Sequence, residues 1–149
     1  MCCAVSWPNK MLYFAYGMNT HAGSMAQRCP AAQSLGHARL LNHAFRFATH
    51  ADVVRCADSY VDGVLWSITD RCLAALDILE GYPSYYRRAY RQAWHQGRTV
   101  MAMTYYMPPM ILDQSPSAAY FATIVEGYQQ HGVPCDQLYN ARDTADLMV

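Results

Sequence analysis

Chemistry in this sequence is offered first by Glu80 and its neighbours. Residues 70–80 (DRCLAALDILE) carry a helical pattern, with Thr69 or Asp70 as cap, Gly81 as a left-handed stop and Pro83 just beyond. With about 100° of rotation per residue, Leu73, Leu76 and Glu80 share a stripe about 60° wide, and Asp77 sits at its edge. A carboxylate in that place lies in the last turn, where the macrodipole presents partial negative charge, and beside leucines that exclude water. Both effects disfavour the anion and lift its pKa toward values suited to proton transfer near neutral pH. Asp77 adds repulsion if it also turns inward, and otherwise caps or pairs elsewhere. A plainer reading puts Cys72, Ala75, Leu76 and Leu79 on the core face and leaves Glu80 as a solvated surface charge. The pattern accommodates both.

The junction Tyr16, Gly17, Met18, Asn19 is the second candidate. It follows the apolar run 11–16 (MLYFAY), and a glycine directly after a buried strand lets the chain turn sharply and expose successive N–H groups, one way to build a small anion site. Most such junctions are simply turns. Tyrosines form the third feature: Tyr82, Tyr85, Tyr86 and Tyr90 follow the acidic helix, and Tyr105, Tyr106 and Tyr120 come later. The common role of a tyrosine is packing with a wet hydroxyl, and the remainder can line a pocket.

These residues need elements to position them. Residues 11–16 read as a buried strand and 21–29 as a short helix that Pro30 ends. The stretch 34–49 reads as one long strand or two, because Leu41, Ala44 and Phe47 do not fit one register. Residues 60–68 (YVDGVLWSI) suit a central strand with a bulge or a close backbone approach at Gly63. Two further strands, 86–95 and 98–106, meet at Gln96 and Gly97 in a tight hairpin. Pro108, Pro109 and Pro116 mark an irregular connection before helices over 117–130 and 136–148. Strands with one helix inserted and helices appended do not give regular βαβ alternation, so the fold class is α+β with an antiparallel or mixed, barrel-like sheet.

The bulk properties set the frame. A chain of 149 residues fits one domain, which we place at 11–149, after a flexible N-terminal segment at 1–10; Met11 is an alternative start. Apolar residues make up 53% and charged ones 15%, which argues for a filled interior and against disorder. Lys plus Arg and Asp plus Glu number 11 each, so no net field draws the protein to phosphate backbones or anionic lipid, and nucleic acid is not an expected partner. No signal-peptide pattern opens the chain and no run of about 18 apolar residues occurs, so no membrane partner and a cytoplasmic location are expected. The six cysteines form no CxxC pair and the histidines no HxH or HExxH, which argues against a bound metal and for reduced, mostly buried thiols.

Two segments, YFAYGMN at 13–19 and VDGVLWSITDRCLAALDILEGYPSYYRR at 61–88, together resemble the γ-glutamylcyclotransferase family, including its AIG2-like relatives. That pattern is an aromatic strand ending in YGSN, then a strand leading to a helix with LDxxEG, then a tyrosine opening the next strand. SPSAAY at 115–120 and GVP at 132–134 resemble the closing helix and its exit. The resemblance implies a small β-barrel flanked by helices, with the site at one end, where the YGSN loop faces the glutamate. By matching position Glu80 takes the catalytic place, and Tyr16, Gly17, Met18 and Asn19 take the substrate loop. Tyr86, Tyr105 and Tyr120 fall where the family has pocket tyrosines, Tyr86 with a one-residue gap. Met18 stands where the family has serine, which backbone binding tolerates and hydroxyl binding does not.

The activity so implied converts a small-molecule γ-glutamyl substrate, an amine or an amino acid derivative, to 5-oxoproline with release of the free amine, Glu80 acting as general acid and base and no cofactor being needed. Two other readings stay open. One is a non-catalytic AIG2-like domain that binds a small ligand or a protein. The other is an enzyme on the same scaffold that removes a γ-glutamyl protecting group from a biosynthetic intermediate.

Overall fold

The computed structural model describes residues 10–147. The expected flexible segment therefore falls outside the described residues except at Lys10, which is already paired in the first strand. Strand β1 (Lys10–Ala15) carries KMLYFA and is followed by a 3-10 turn (Met18–Thr20) and helix α1 (Ala22–Arg28). Strands β2 (Gln33–Ala48) and β3 (His50–Thr69) form a long hairpin, helix α2 (Asp70–Glu80) follows, and β4 (Arg87–His95) and β5 (Arg98–Tyr106) form a second hairpin. Helices α3 (Ala118–Gln130) and α4 (Asp136–Leu147) close the described chain.

The five strands close into a barrel in the order β1-β3-β2-β4-β5. Antiparallel pairing joins β1 to β3, β3 to β2, β2 to β4 and β4 to β5, and a parallel contact at Tyr13 and Met103 seals β1 to β5. The sheet is thus mixed; Phe14, Leu40, Val61 and Leu65 share one of its faces and Ile68 and Met103 lie on the other, none more than 2% exposed. Each such side chain contributes about 1.5–3 kcal/mol through its removal from water.

The register conflict read in residues 34–49 has a physical cause. Strand β2 is one strand, but its pairing with β3 shifts between Leu41 and His43 and again between Ser34 and Gly36. Asn42 takes a left-handed φ of 59° at the first of these, so the residues on either side of it face by different parities. Strand β3 is much longer than the 60–68 expected, because residues 50–59 belong to it; 50–55 pair with the end of β2, and 56–59 fall within the register shift. Residues 54–58 are exposed in succession there, which erased the alternating signal. At Gly63 the close approach is realised and the bulge is not. A Cβ there would lie 2.4 Å from the Ala15 carbonyl oxygen and 2.5 Å from the Phe14 ring.

Helix α2 is as its capping residues imply: the Thr69 side chain accepts from the Cys72 N–H, and Gly81 ends it at a φ of 65°. Helix α3, capped by Ser117, buries Phe121, Ile124 and Tyr128 and lies so close to the first turn that a Cβ on Gly127 would sit 2.7 Å from the His21 nitrogen. Of the described cysteines, Cys29 and Cys72 are buried, Cys135 is half-buried and Cys56 is exposed on β3, so the expectation of mostly buried thiols was too broad. Among the described residues no helix is long and apolar enough to cross a membrane.

Candidate active site at one end of the barrel

Strand β1 ends at Ala15 and its chain runs straight into Tyr16 and Gly17, at the end of the barrel where β5 also ends and β4 begins. The turn is locked from below. The Gly17 carbonyl accepts from the Thr20 N–H at 3.1 Å and from the Thr20 hydroxyl at 2.7 Å, and the His21 N–H donates to the Met18 carbonyl at 3.0 Å. The turn's own bonds therefore use the N–H groups of Thr20 and His21 and not those of Met18 and Asn19. Gly17 packs close to the Ala51 methyl, at 3.1 Å from an added Cβ, so the chain at this point is held between β3 and α3.

Across the opening stands α2. Its buried residues are Cys72 and Leu76, and one turn further along the same face comes Glu80, half-buried. Leu79, which the plainer reading placed in the core, is instead 47% exposed at the rim, and Ile78 is exposed outright. The Glu80 Oε1 accepts from the Asn19 Nδ2 at 3.1 Å, so the carboxylate faces the turn. Burial pushes the Glu80 carboxyl up to about 7, against the opposing pull of the Asn19 hydrogen bond and the Arg28 charge. Asp77 adds no repulsion inside: it accepts from Arg88 at 2.9 and 3.2 Å and from the Tyr105 hydroxyl at 2.7 Å.

Between these elements lies a cavity of about 220 Å³, lined by every residue that the family resemblance assigned to the site, namely Glu80, the four of the turn from Tyr16 to Asn19, and Tyr86, Tyr105 and Tyr120. Of the other candidate tyrosines Tyr85 also lines it, whereas Tyr82, Tyr90 and Tyr106 lie outside it. The tyrosines build its walls with bonded hydroxyls. Tyr16 donates to the Tyr105 carbonyl at 2.7 Å, Tyr86 donates to the Ala51 carbonyl at 2.6 Å, and the Ala51 N–H donates to the Tyr120 hydroxyl at 2.9 Å. Burial raises each of these phenols well above its usual range, so they are neutral at physiological pH.

Sequence reasoning missed Tyr13, Arg28 and His50, which also line the cavity. Tyr13 lay within the strand motif, and its phenol oxygen accepts from Asn19 at 3.0 Å. Arg28 had one available signal, a basic residue in the last turn of a helix that begins just after the glycine junction. Its Nη1 donates to the Asn19 Oδ1 at 2.5 Å. His50 fell between the strands that the sequence suggested; its Nδ1 lies 2.6 Å from the Tyr85 hydroxyl and closes one side of the opening.

The architecture is that of a closed mixed barrel, with a small pocket at one end in which a half-buried carboxylate faces a backbone turn, an arrangement suited to acid–base work on a small polar ligand. The family model for gamma-glutamyl cyclotransferase, AIG2-like, matches residues 13–130, and the chain belongs to that family. Among solved structures, one named gamma-glutamyl cyclotransferase superposes with a TM-score of 0.80 at 24% identity, covering 90% of this chain and 87% of the other. The uncharacterized protein loc79017 from Homo sapiens gives 0.80 at 25% identity, over 89% of this chain and 86% of that one. YkqA from Bacillus subtilis gives 0.77 at 20% identity, over 93% of this chain and 55% of that one. No curated protein sequence matches the chain significantly. These likenesses confirm the α+β barrel read from the sequence.

Proposed function

We propose that the protein cyclises a γ-glutamyl amine or γ-glutamyl amino acid to 5-oxoproline, with Glu80 as the general base and acid. The observation that supports this reading is the placement of Glu80: a carboxyl pushed up to about 7 by burial, 3.1 Å from the turn that would hold the substrate. In the reaction the N–H groups of the Tyr16–Asn19 turn receive the α-carboxylate and steady the oxygen of the γ-carbonyl. Glu80 removes a proton from the substrate α-ammonium, whose free amine attacks the γ-carbonyl carbon. The attacking nitrogen then gives up a second proton as the C–N bond to the leaving amine breaks, so the lactam keeps one N–H and the two protons that Glu80 relays, one at a time, depart on the released nitrogen as its ammonium. Atoms balance without water, metal or cofactor. Folding the substrate so that amine and carbonyl meet supplies much of the acceleration, and the base adds about 10² to 10⁴.

Wild type and Glu80→Gln are compared on γ-glutamyl amines and γ-glutamyl amino acids, following 5-oxoproline. The expected outcome is turnover by wild type and a loss of about 10² to 10⁴ in the variant. Equal turnover by both removes Glu80 from the mechanism. Tight binding of these compounds by wild type without 5-oxoproline formation favours the ligand-binding reading, to which Met18 in the serine position already lends support.

A further inference from the structure

Resting on that reading of Glu80, we propose that Arg28 and Asn19 are positioning residues: the Arg28 guanidinium fixes the Asn19 carboxamide so that its NH2 end holds the Glu80 carboxylate toward the cavity.

The two ends of a carboxamide have the same shape and opposite electrostatics, so the end that faces a carboxylate decides whether it attracts or repels it. Here the choice is made by Arg28. Its Nη1 donates to the Asn19 oxygen at 2.5 Å, a charge-assisted bond that only that oxygen can accept. The opposite end is then committed to two acceptors, the Tyr13 oxygen at 3.0 Å and the Glu80 Oε1 at 3.1 Å. Asn19 is 4% exposed, so a flipped amide would face the guanidinium with N–H and the carboxylate with oxygen, in a place largely out of reach of solvent. With its oxygen bonded and both N–H groups used, this side chain serves Glu80, and the turn reaches a ligand through its backbone.

The other groups around Glu80 do not substitute for this pair. The phenols of Tyr13 and Tyr16 at β1, Tyr85 and Tyr86 at the entry to β4, Tyr105 on β5 and Tyr120 on α3 all face the same cavity and carry no charge in its working range. His50 at the start of β3 is engaged with the Tyr85 hydroxyl, and Asp77 on α2 itself with Arg88. Among the described residues lining the cavity, Arg28 is the one lysine or arginine, and its charge reaches Glu80 through a single intervening amide.

The test reads the Glu80 carboxyl directly, by carbon NMR of the full chain carrying 13C-labelled glutamate, titrated between pH 4 and 10 without substrate. Wild type is expected to show a midpoint near 7. Arg28→Gln and Asn19→Ala are each expected to move it upward by about one pH unit. Arg28→Gln placed in the Asn19→Ala background is expected to add clearly less than it does alone. Arg28→Lys, which keeps the charge and loses the planar fork, provides the same comparison should Arg28→Gln fail to fold, with an upward move smaller than that of Asn19→Ala. An unmoved midpoint in the single variants, or the same increment with and without Asn19, overturns the proposal. Turnover plays no part in this readout, so failure to form 5-oxoproline would count against the proposed reaction alone.

Discussion

Replacing Glu80 by glutamine should make the protein more stable, and increasingly so as pH rises. The carboxyl is pushed from an ordinary 4.5 to about 7 by burial. Between those values the folded chain holds a proton that the unfolded chain has released, so unfolding is favoured as pH increases through the window. The stability that the protonated form contributes is complete below 4.5 and is lost as pH passes about 7. At about 1.4 kcal/mol for each pH unit, the wild type gives up about 3 kcal/mol across this range. The Glu80→Gln variant carries no such penalty and retains an amide oxygen for the Asn19 N–H, which donates to Glu80 at 3.1 Å in the wild type. Urea unfolding of both proteins at pH 4.5, 6 and 8 should therefore show a difference that widens in favour of the variant and levels off above pH 8. The same carboxyl predicts that kcat/KM of the wild type falls on the acid side of about pH 7, where Glu80 can no longer take a proton. A stability difference that is flat from pH 4.5 to 8 would refute the claim that Glu80 is desolvated, and with it the basis for its acid–base role.

Two further outcomes concern the scaffold that holds the site. Gly127→Ala places a Cβ 2.5 Å from the Thr20 hydroxyl oxygen and 2.7 Å from the His21 nitrogen, so α3 must back away from the turn. A loss of about 1–3 kcal/mol in thermal or urea unfolding is expected, with a fall in kcat/KM because Asn19 belongs to the displaced turn. Asp52→Ala removes the partner of Arg46 at 2.8 Å and the acceptor of the Met107 N–H at 2.8 Å, from a site that is 1% exposed. About 3 kcal/mol of stability should disappear in urea unfolding. The Glu80 titration should stay near 7, because Asp52 does not line the cavity.

What could be read from the sequence was what rests on local rules. Helix α2 with its Thr69 cap and Gly81 stop, the hairpin at Gln96 and Gly97, and the close approach at Gly63 all follow from residue type over a few positions. Glu80 was legible as an inward carboxylate because it repeats the Leu73 and Leu76 spacing, though the plainer stripe matched equally well. What chose between them was tertiary: the cavity opposite α2 left Leu79 at the rim and turned Glu80 inward. The outer half of the β2–β3 hairpin was not legible, since Asn42 shifts the register and residues 54–58 are exposed whichever way they point. His50 was lost with it. Arg28 was lost for a different reason, namely that its partner is a side chain nine residues away across a turn, which no periodicity records.

The tyrosines explain why the carboxylate depends so heavily on one amide. Six phenols line the cavity, yet the hydroxyl protons of Tyr16, Tyr86 and Tyr105 are all directed away from Glu80. Tyr16 and Tyr86 donate to backbone carbonyls of β5 and β3, and Tyr105 donates to Asp77, which Arg88 already holds. Tyr128, behind them, donates to the Tyr16 carbonyl and ties α3 to the end of β1. These bonds knit four strands and two helices into one rim, and the consequence is that these phenols do not solvate Glu80. Desolvation therefore prevails, offset only by the Asn19 N–H and the charge behind it. A rim of serines or waters would stabilise the anion and drop the carboxyl back toward 4.5, where it would be too weak a base to deprotonate an ammonium group. The aromatic content that looks like packing in the sequence is thus also what keeps the acid at a useful strength.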